Sequence, residues 1–302
     1  MAGKGDSVRA IWYALGANFS IFVAKAFAAF FTNSSAMLAE AVHSLADCGN
    51  QGLLLMGIKR AKRPPSPDFP LGYGKAIYFW SFLVALMLFS VGGIFSLYEG
   101  IHKLSEPEPL KWPWLAVGVL TFGIIVEAIS MAACMREVNK ARGTDSIWTW
   151  FRQSRQSELI VIFGEDLAAL LGLVFALAAI LVTMATGNPI YDAIGTIGIG
   201  VLLIVVAIFI CVEVHDLLIG QSVEPNTKKA MFEFLDARPE ITRVLNLITM
   251  QLGNDVMVAI KAEMSRDQST KGVVDAINLI ESDFKRAFPD AKWCFFEPDI
   301  AD

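Results

Sequence analysis

The chain has 302 residues, of which 55% are hydrophobic and only 18% charged, with a mean hydropathy of +0.52 and a net charge of −5. Soluble domains carry roughly 25% charged residues, and a packed core does not require one apolar run of about 20 residues after another, the length that spans a bilayer as a helix. These figures exclude a disordered chain, a basic nucleic-acid-binding protein and a disulfide-stapled secreted domain, and they leave a polytopic membrane protein.

Six apolar segments follow one another, at 8–31, 35–59, 76–104, 112–136, 157–186 and 190–220. The first is polar at Asn18 and Lys25; it is too long for a cleavable signal peptide and no small-residue cleavage site follows it. Thr32-Asn33-Ser34-Ser35 is a tight polar turn that doubles as a helix N-cap. The second segment carries Glu40, His43 and Asp47, with Asn50 and Gln51 behind them. At 100° per residue the first three point within about 60° of one another, so they form one polar stripe. The loop from Lys59 to Gly74 is rich in Pro and Gly. The third segment contains Gly92-Gly93, and the sixth has glycines at 195, 198 and 200; these positions read as close helix packing. The fifth carries Glu165 and Asp166 between apolar runs, with no Lys or Arg nearby in the same helix. Thr186-Gly187-Asn188-Pro189 is a turn that opens the sixth.

Basic residues in short loops set orientation. The N-terminus (Lys4, Arg9), the second loop (Lys59, Arg60, Lys62, Arg63, Lys75) and the fourth region (Arg136, Lys140, Arg142, Arg152, Arg155) hold twelve, against Lys103 and Lys111 on the other side. N- and C-termini are therefore expected in the cytoplasm or its equivalent, in a multi-pass integral membrane protein, with a bacterial inner membrane as the expected setting.

The charge also divides along the chain. Residues 1–223 hold 15 Lys/Arg and 16 Asp/Glu, and residues 224–302 hold 10 and 14. The expected organisation is a six-helix transmembrane domain at 1–222 and a small cytoplasmic α+β domain at 223–302. In that tail, residues 225–237 read as a helix, Ile241–Leu252 and Asp255–Met264 as strands around Gly253-Asn254, Val273–Phe288 as an amphipathic helix and Ala291–Phe296 as a last strand. The order is α-β-β-α-β, a ferredoxin-like sandwich. The cysteines Cys48, Cys134, Cys211 and Cys294 are scattered without a CxxC, which argues against both a disulfide framework and a thiolate zinc site.

Ionisable groups inside a span cost about 2.5–3.5 kcal/mol each on insertion scales, so the carboxylates and the imidazole need a reason. The missing positive charge reads as a bound ion, and a His-plus-Asp set suits a borderline divalent metal, zinc first. Blander readings stand beside this one: His43 as an interhelical hydrogen-bonder, Glu165–Asp166 as a proton relay, Glu40 as a solvated or gating group. Lys25 and Asn18 read as structural partners of the acids and Glu127 as a weak candidate for pairing. His102, His215 and Glu99 sit at segment ends as interfacial residues.

The residues resemble the cation diffusion facilitator family of zinc transporters over nearly the whole chain. The most specific match is Ser35 to Asp47, which ends in the HxxxD pattern of His43 and Asp47; Gly72-Tyr73-Gly74-Lys75, Tyr78-Phe79-Trp80 and Glu165-Asp166-Leu167-Ala168-Ala169 are similar to the branch that includes a mitochondrial zinc exporter. The resemblance implies a tetrahedral site with two ligands from each of the second and fifth helices, here His43, Asp47 and Asp166. The place four before Asp166 is Ile162, so the fourth ligand is left open among Glu165, a water and Glu40. Relatives often carry a second site in the loop before the third helix, but Phe69 and Tyr73 stand there. They also often bind zinc in the tail through His, which this tail lacks; Glu263 and Glu297 fall near those positions as weak metal candidates. The tail is thus expected to dimerise rather than to sense metal.

The resemblance implies Zn2+ efflux by a homodimer in the lipid bilayer, with protons as counter-ion and alternating access, and no resident cofactor, enzyme chemistry or nucleic-acid partner. No nucleophile–base pair or phosphate loop is visible in the sequence. The alternatives are Mn2+, Fe2+ or Co2+ as cargo, or a non-transporting, dimerising subunit.

Overall fold

The computed structural model describes residues 4–107, 109–265 and 269–301, with side chains described from Asn18 onward; those of Lys4 and Arg9, part of the charge asymmetry, fall outside this range. The chain divides into two compact units, the first comprising 1–56, 80–147 and 158–213 and the second 57–79, 148–157 and 214–302.

The first unit is helical. All or most of each of these elements lies in it: α1 (Lys4–Thr32), α2 (Ser35–Ala61), α3 (Ala76–Met87) continued by a π-helical stretch (Leu88–Ile94) into α4 (Phe95–Ser105), α5 (Pro113–Arg142), α7 (Ser157–Thr186) and α8 (Ile190–Ile219); the short α6 (Ile147–Gln153), between α5 and α7 in sequence, belongs to the second unit apart from Ile147. Four of these, Ala76–Ser105, Pro113–Arg142, Ser157–Thr186 and Ile190–Ile219, are long and apolar enough to cross a membrane. The charged stripe of α2 lowers its hydropathy, and α1 is described in full only from Asn18.

The helix ends follow their turn residues. Asn33 adopts a left-handed conformation (φ 57°) after α1, and Gly187 does so (φ 69°) after α7, ahead of Pro189. Ser34 Oγ caps α2 by accepting from the Met37 N–H at 3.1 Å. Asp192 of α8, 157 residues further on, reinforces the cap: it accepts from Ser34 Oγ (2.6 Å), Ser35 N (2.8 Å) and Ser35 Oγ (3.0 Å), and its charge lies at the positive end of α2. Asp192→Ala takes the acceptor from the Ser35 N–H and the Ser34 hydroxyl, while Ser35 Oγ keeps Thr196 Oγ1 at 2.9 Å, and is expected to cost about 1–3 kcal/mol. Thermal unfolding of the detergent-purified chain reads this as a lowered midpoint, and an unchanged midpoint would contradict it.

The glycine reading is mostly met. A Cβ at Gly200 would lie 2.7 Å from the Leu97 nitrogen, one at Gly93 2.6 Å from Ile204 Cγ1 and one at Gly195 2.2 Å from Ala179 Cβ. Gly198 departs from the pattern, its nearest neighbour being 4.0 Å away. The π-helical stretch, unforeseen in the sequence, contains Gly92 and Gly93 and widens the helix where Gly92 approaches His43 Nδ1, at 3.8 Å from a Cβ built there.

In the second unit, α9 (Pro225–Asp236), β1 (Ile241–Leu252), β2 (Asp255–Met264), α10 (Thr270–Ala287) and β3 (Ala291–Pro298) follow in the order α-β-β-α-β. The sheet order is β1-β2-β3, with β1–β2 antiparallel and β2–β3 parallel through the α10 crossover. Gly253 takes φ 69° while Asn254 does not have a positive φ, which suits a two-residue turn with glycine first. Helix α10 begins three residues earlier than its apolar pattern suggests, because Ser269 Oγ caps it by accepting from Gly272 N. Along β2, Val256, Val258, Ile260, Ala262 and Met264 alternate inward, onto Met231 and Leu235 of α9 and Ile280 and Phe284 of α10.

The hairpin tip of β1–β2 docks on the Gly72–Lys75 stretch. A Cβ at Gly74 would lie 1.9 Å from the Leu252 carbonyl oxygen, and Gly253 N donates to Tyr78 Oη at 2.9 Å. The Gly-Tyr-Gly-Lys motif therefore makes room for strand backbone. Burial in this core pushes the Cys294 thiol up to about 11, with the neighbouring Glu281 charge adding to it. The raised value keeps Cys294 protonated below that pH, so at pH 8 only about one molecule in a thousand is thiolate. Alkylation of Cys294 at pH 8 is expected to be negligible until the chain is denatured; rapid modification of the native chain would contradict this.

Candidate functional site

The stripe read from the sequence lies inside the first unit. Glu40, His43 and Asn50 are fully buried and Asp47 nearly so, with 16% of its side chain exposed. His43 Nε2 lies 3.7 Å from Asp47 Oδ2, too far for a hydrogen bond. Among the described residues, both His43 nitrogens, Asp47 Oδ1, Asn50 Oδ1, Gln51 Oε1 and Glu40 Oε1 are buried without a hydrogen-bond partner. An unpartnered buried polar atom costs about 1–3 kcal/mol, so a run of them along one helix face is a feature that packing alone does not account for.

Helix α7 runs unbroken through Glu165 and Asp166, so the two carboxylates point to different neighbours. Glu165 faces α2 and accepts from Asn50 Nδ2 at 2.5 Å. Asp166 faces α5 and accepts from Ser130 Oγ at 3.2 Å. The Asp47 charge repels both of them. No group of three His, Cys, Asp or Glu among the described residues is drawn close enough to hold a metal ion. The two halves of the candidate site are neighbours, then, without being in coordination geometry. Ile162, on the Asp166 side of α7, is 39% exposed.

Lys25 donates to Glu40 Oε2 at 3.1 Å and to Ser44 Oγ at 2.8 Å. Asn18, about two turns earlier in α1, makes none of these contacts. Glu127 of α5 interacts electrostatically with Lys25, Asp47 and His43. His102 stacks on Tyr98, and His215 sits by Asp216 at 3.3 Å; both are exposed. In the second unit Phe69 and Tyr73 pack ring to ring at 4.5 Å. Each tail candidate stands by a basic residue: Glu263 lies 3.8 Å from Arg243, and Glu297 is opposite Lys261 in the strand register.

Three residues escaped the sequence reading. Ser130, Gly172 (where a Cβ would lie 2.5 Å from Glu40 Oε1) and Asp192 act through tertiary neighbours, and a serine or glycine in an apolar helix carries no signal of its partner. Asp192, a carboxylate in the first turn of an apolar helix, did offer such a signal.

Residues 11–219 match the family described as the cation efflux transmembrane domain. The chain is 33% identical over 270 residues to the mitochondrial proton-coupled zinc antiporter SLC30A9 of Xenopus laevis, covering 88% of this chain and 47% of the relative. It is 33% identical over 232 residues to metal tolerance protein C4 of Arabidopsis thaliana, covering 76% and 50%. It is 25% identical over 273 residues to the cation-efflux pump FieF of Klebsiella pneumoniae subsp. pneumoniae, covering 89% and 85%. The chain thus spans about half the length of the zinc antiporter and metal tolerance relatives it matches. With its apolar helices and a family match over more than half its length, the chain is a multi-pass membrane protein and belongs to the cation efflux, or cation diffusion facilitator, family of transporters.

Proposed function

We propose that the chain exports a divalent metal cation, Zn2+ foremost, in exchange for protons. The observation that carries this reading is the face of α2 on which His43, Asp47, Asn50 and Gln51 hold buried nitrogen and oxygen atoms without partners, opposite Glu165 of α7. His43 and Asp47 supply two ligands, and Asp166 and Glu165 are the α7 candidates. Imidazole and carboxylate bind either a proton or a metal ion, so the two compete for one site. A movement of α7 against α2 that replaces the Asn50–Glu165 and Ser130–Asp166 bonds with bonds to the ion gives the alternating access that exchange requires. The proton-coupled zinc antiporter among the relatives agrees with this cargo and coupling, and the cation-efflux pump agrees with export of a cation.

The reading extends to the architecture. Six helices (α1, α2, α3–α4, α5, α7, α8) cross the membrane in a domain at 1–222, and a ferredoxin-like domain at 223–302 lies with both termini on the cytoplasmic or equivalent side, as the basic loops indicate. The working form is a homodimer. The outer face of the tail sheet supports this, since Ile248, Met250, Met257, Ala259, Trp293 and Phe295 form adjoining cross-strand rows, with Ile248 56% and Phe295 55% exposed.

The test is Zn2+ flux in proteoliposomes under an imposed pH gradient. The expected result is Zn2+ movement that collapses when the gradient is dissipated, with Mn2+, Fe2+ and Co2+ competing weakly. Stronger competition by Mn2+ or Fe2+ would reassign the cargo. Movement of none of the four would overturn transport and favour the dimerising subunit.

A further inference from the structure

We infer that Lys25 is a tethered counter-cation of the ion chamber: its ammonium, fixed on Glu40, keeps that carboxylate out of the ion's coordination shell and sets how tightly His43 and Asp47 bind the ion. The inference rests on the metal-transport reading above and concerns a pair that the reading itself does not use.

Lys25 and Glu40 are both fully buried, and their ion pair of 3.1 Å joins α1 to α2. The second bond of the ammonium, to Ser44 Oγ at 2.8 Å, reaches the next turn of α2, so the two anchors bracket His43 in the sequence. Helix α7 gives the carboxylate its room, since a Cβ at Gly172 would lie 2.5 Å from Glu40 Oε1; α5 lies alongside the lysine, where a Cβ at Gly123 would make ordinary contact with Lys25 Cε at 3.7 Å. That Oε1 has no hydrogen-bond partner among the described residues, so half of the carboxylate is unused by the protein. The Lys25 charge also acts on His43, Asp47 and Glu127.

A buried ion pair is a poor brace, because packed apolar side chains of similar volume often hold helices as well or better. What the pair supplies, and an apolar contact cannot, is a positive charge held on Glu40 and Ser44, the residues of α2 that bracket His43. Without it, Glu40 is a further carboxylate within reach of an arriving divalent cation, and a transporter that binds its cargo too tightly releases it slowly. With it, Glu40 is neutralised in place and the ion is left to His43, Asp47 and the carboxylates of α7.

The experiment measures Zn2+ affinity by titration calorimetry on the full chain in detergent, together with the KM and kcat of Zn2+ flux in liposomes. Glu40→Gln leaves the ammonium without its carboxylate beside the site and is expected to raise both Kd and KM about tenfold through charge repulsion. Adding Lys25→Met to Glu40→Gln removes the stray charge, and both constants are expected to return to within about threefold of wild type. Lys25→Met alone frees Glu40 for the ion and is expected to lower Kd and, through slower release, kcat; a folded variant with both unchanged would overturn the claim that the ammonium keeps Glu40 off the ion. A structural brace predicts instead that every variant loses thermal stability and that the double variant is no better than either single one.

If Glu40→Gln binds Zn2+ as wild type does, or if the double variant binds as weakly as Glu40→Gln while remaining folded, the inference is overturned. In the second case Glu40 is itself a ligand. A wild-type chain that neither binds nor moves Zn2+ overturns the transport reading instead, so the two failures are distinguishable.

Discussion

Replacing Asp47 by alanine is expected to abolish Zn2+ flux, by at least about 100-fold in the pH-gradient assay, and to leave the folded chain as stable as wild type. Loss of a group one step removed from a metal typically costs 10–100-fold in affinity or activity, and loss of a ligand costs more. The unusual half of the expectation is the stability. Asp47 Oδ1 is buried without a partner, and Oδ2 is 3.7 Å from His43 Nε2. Alanine therefore removes oxygens that the protein does not use, along with the cost of burying a carboxylate. A variant that transports like wild type would place the ion path elsewhere, and one that loses transport only because it unfolds would make Asp47 a structural residue. Thermal unfolding beside the flux measurement separates the two.

The second large effect lies in the tail. Phe284→Ala is expected to cost about 3–5 kcal/mol, most of what a domain of this size has to lose. Phe284 is fully buried in α10, and its ring packs against Phe288 at 4.8 Å and Phe234 at 5.8 Å, beneath the inward row of β2. Limited proteolysis of the full-length variant is expected to cut within residues 223–302 while the apolar helices stay intact. If the tail sheet also holds two copies together, the dimer is lost with it. Cleavage of the variant at the wild-type rate would contradict this account of the tail's core.

Much of this was legible in the sequence, for identifiable reasons. Run length and hydropathy mark the long helices because a bilayer sets a minimum length, and the α2 stripe is visible because residues 40, 43 and 47 follow the helix period. Strict alternation marks β2, and Gly253-Asn254 marks the hairpin. What was not legible depends on rotation and on distant partners. Glu165 and Asp166 are neighbours in sequence, so only the packed helix decides that one faces Asn50 of α2 and the other Ser130 of α5. Lys25 and Glu40 were each visible as intramembrane charges, but their bond joins two helices that the sequence does not orient. The Asp192 cap on α2 spans 157 residues. The π-helical stretch has no compositional mark beyond Gly92-Gly93, and glycine content overstated the packing at Gly198. Seven-residue α6 is too short for a periodic pattern to stand out.

The central claim is that one ion sits between α2 and α7 on nitrogen and oxygen ligands that are unpaired in the chain. X-ray absorption at the zinc edge, on the purified chain loaded with one equivalent of Zn2+, tests it most directly. The account predicts a shell of nitrogen and oxygen only, at about 2.0–2.2 Å, that contains an imidazole contribution lost in His43→Ala and is disrupted in Asp47→Ala. A sulfur shell at about 2.3 Å, or a spectrum that neither substitution changes, would contradict it.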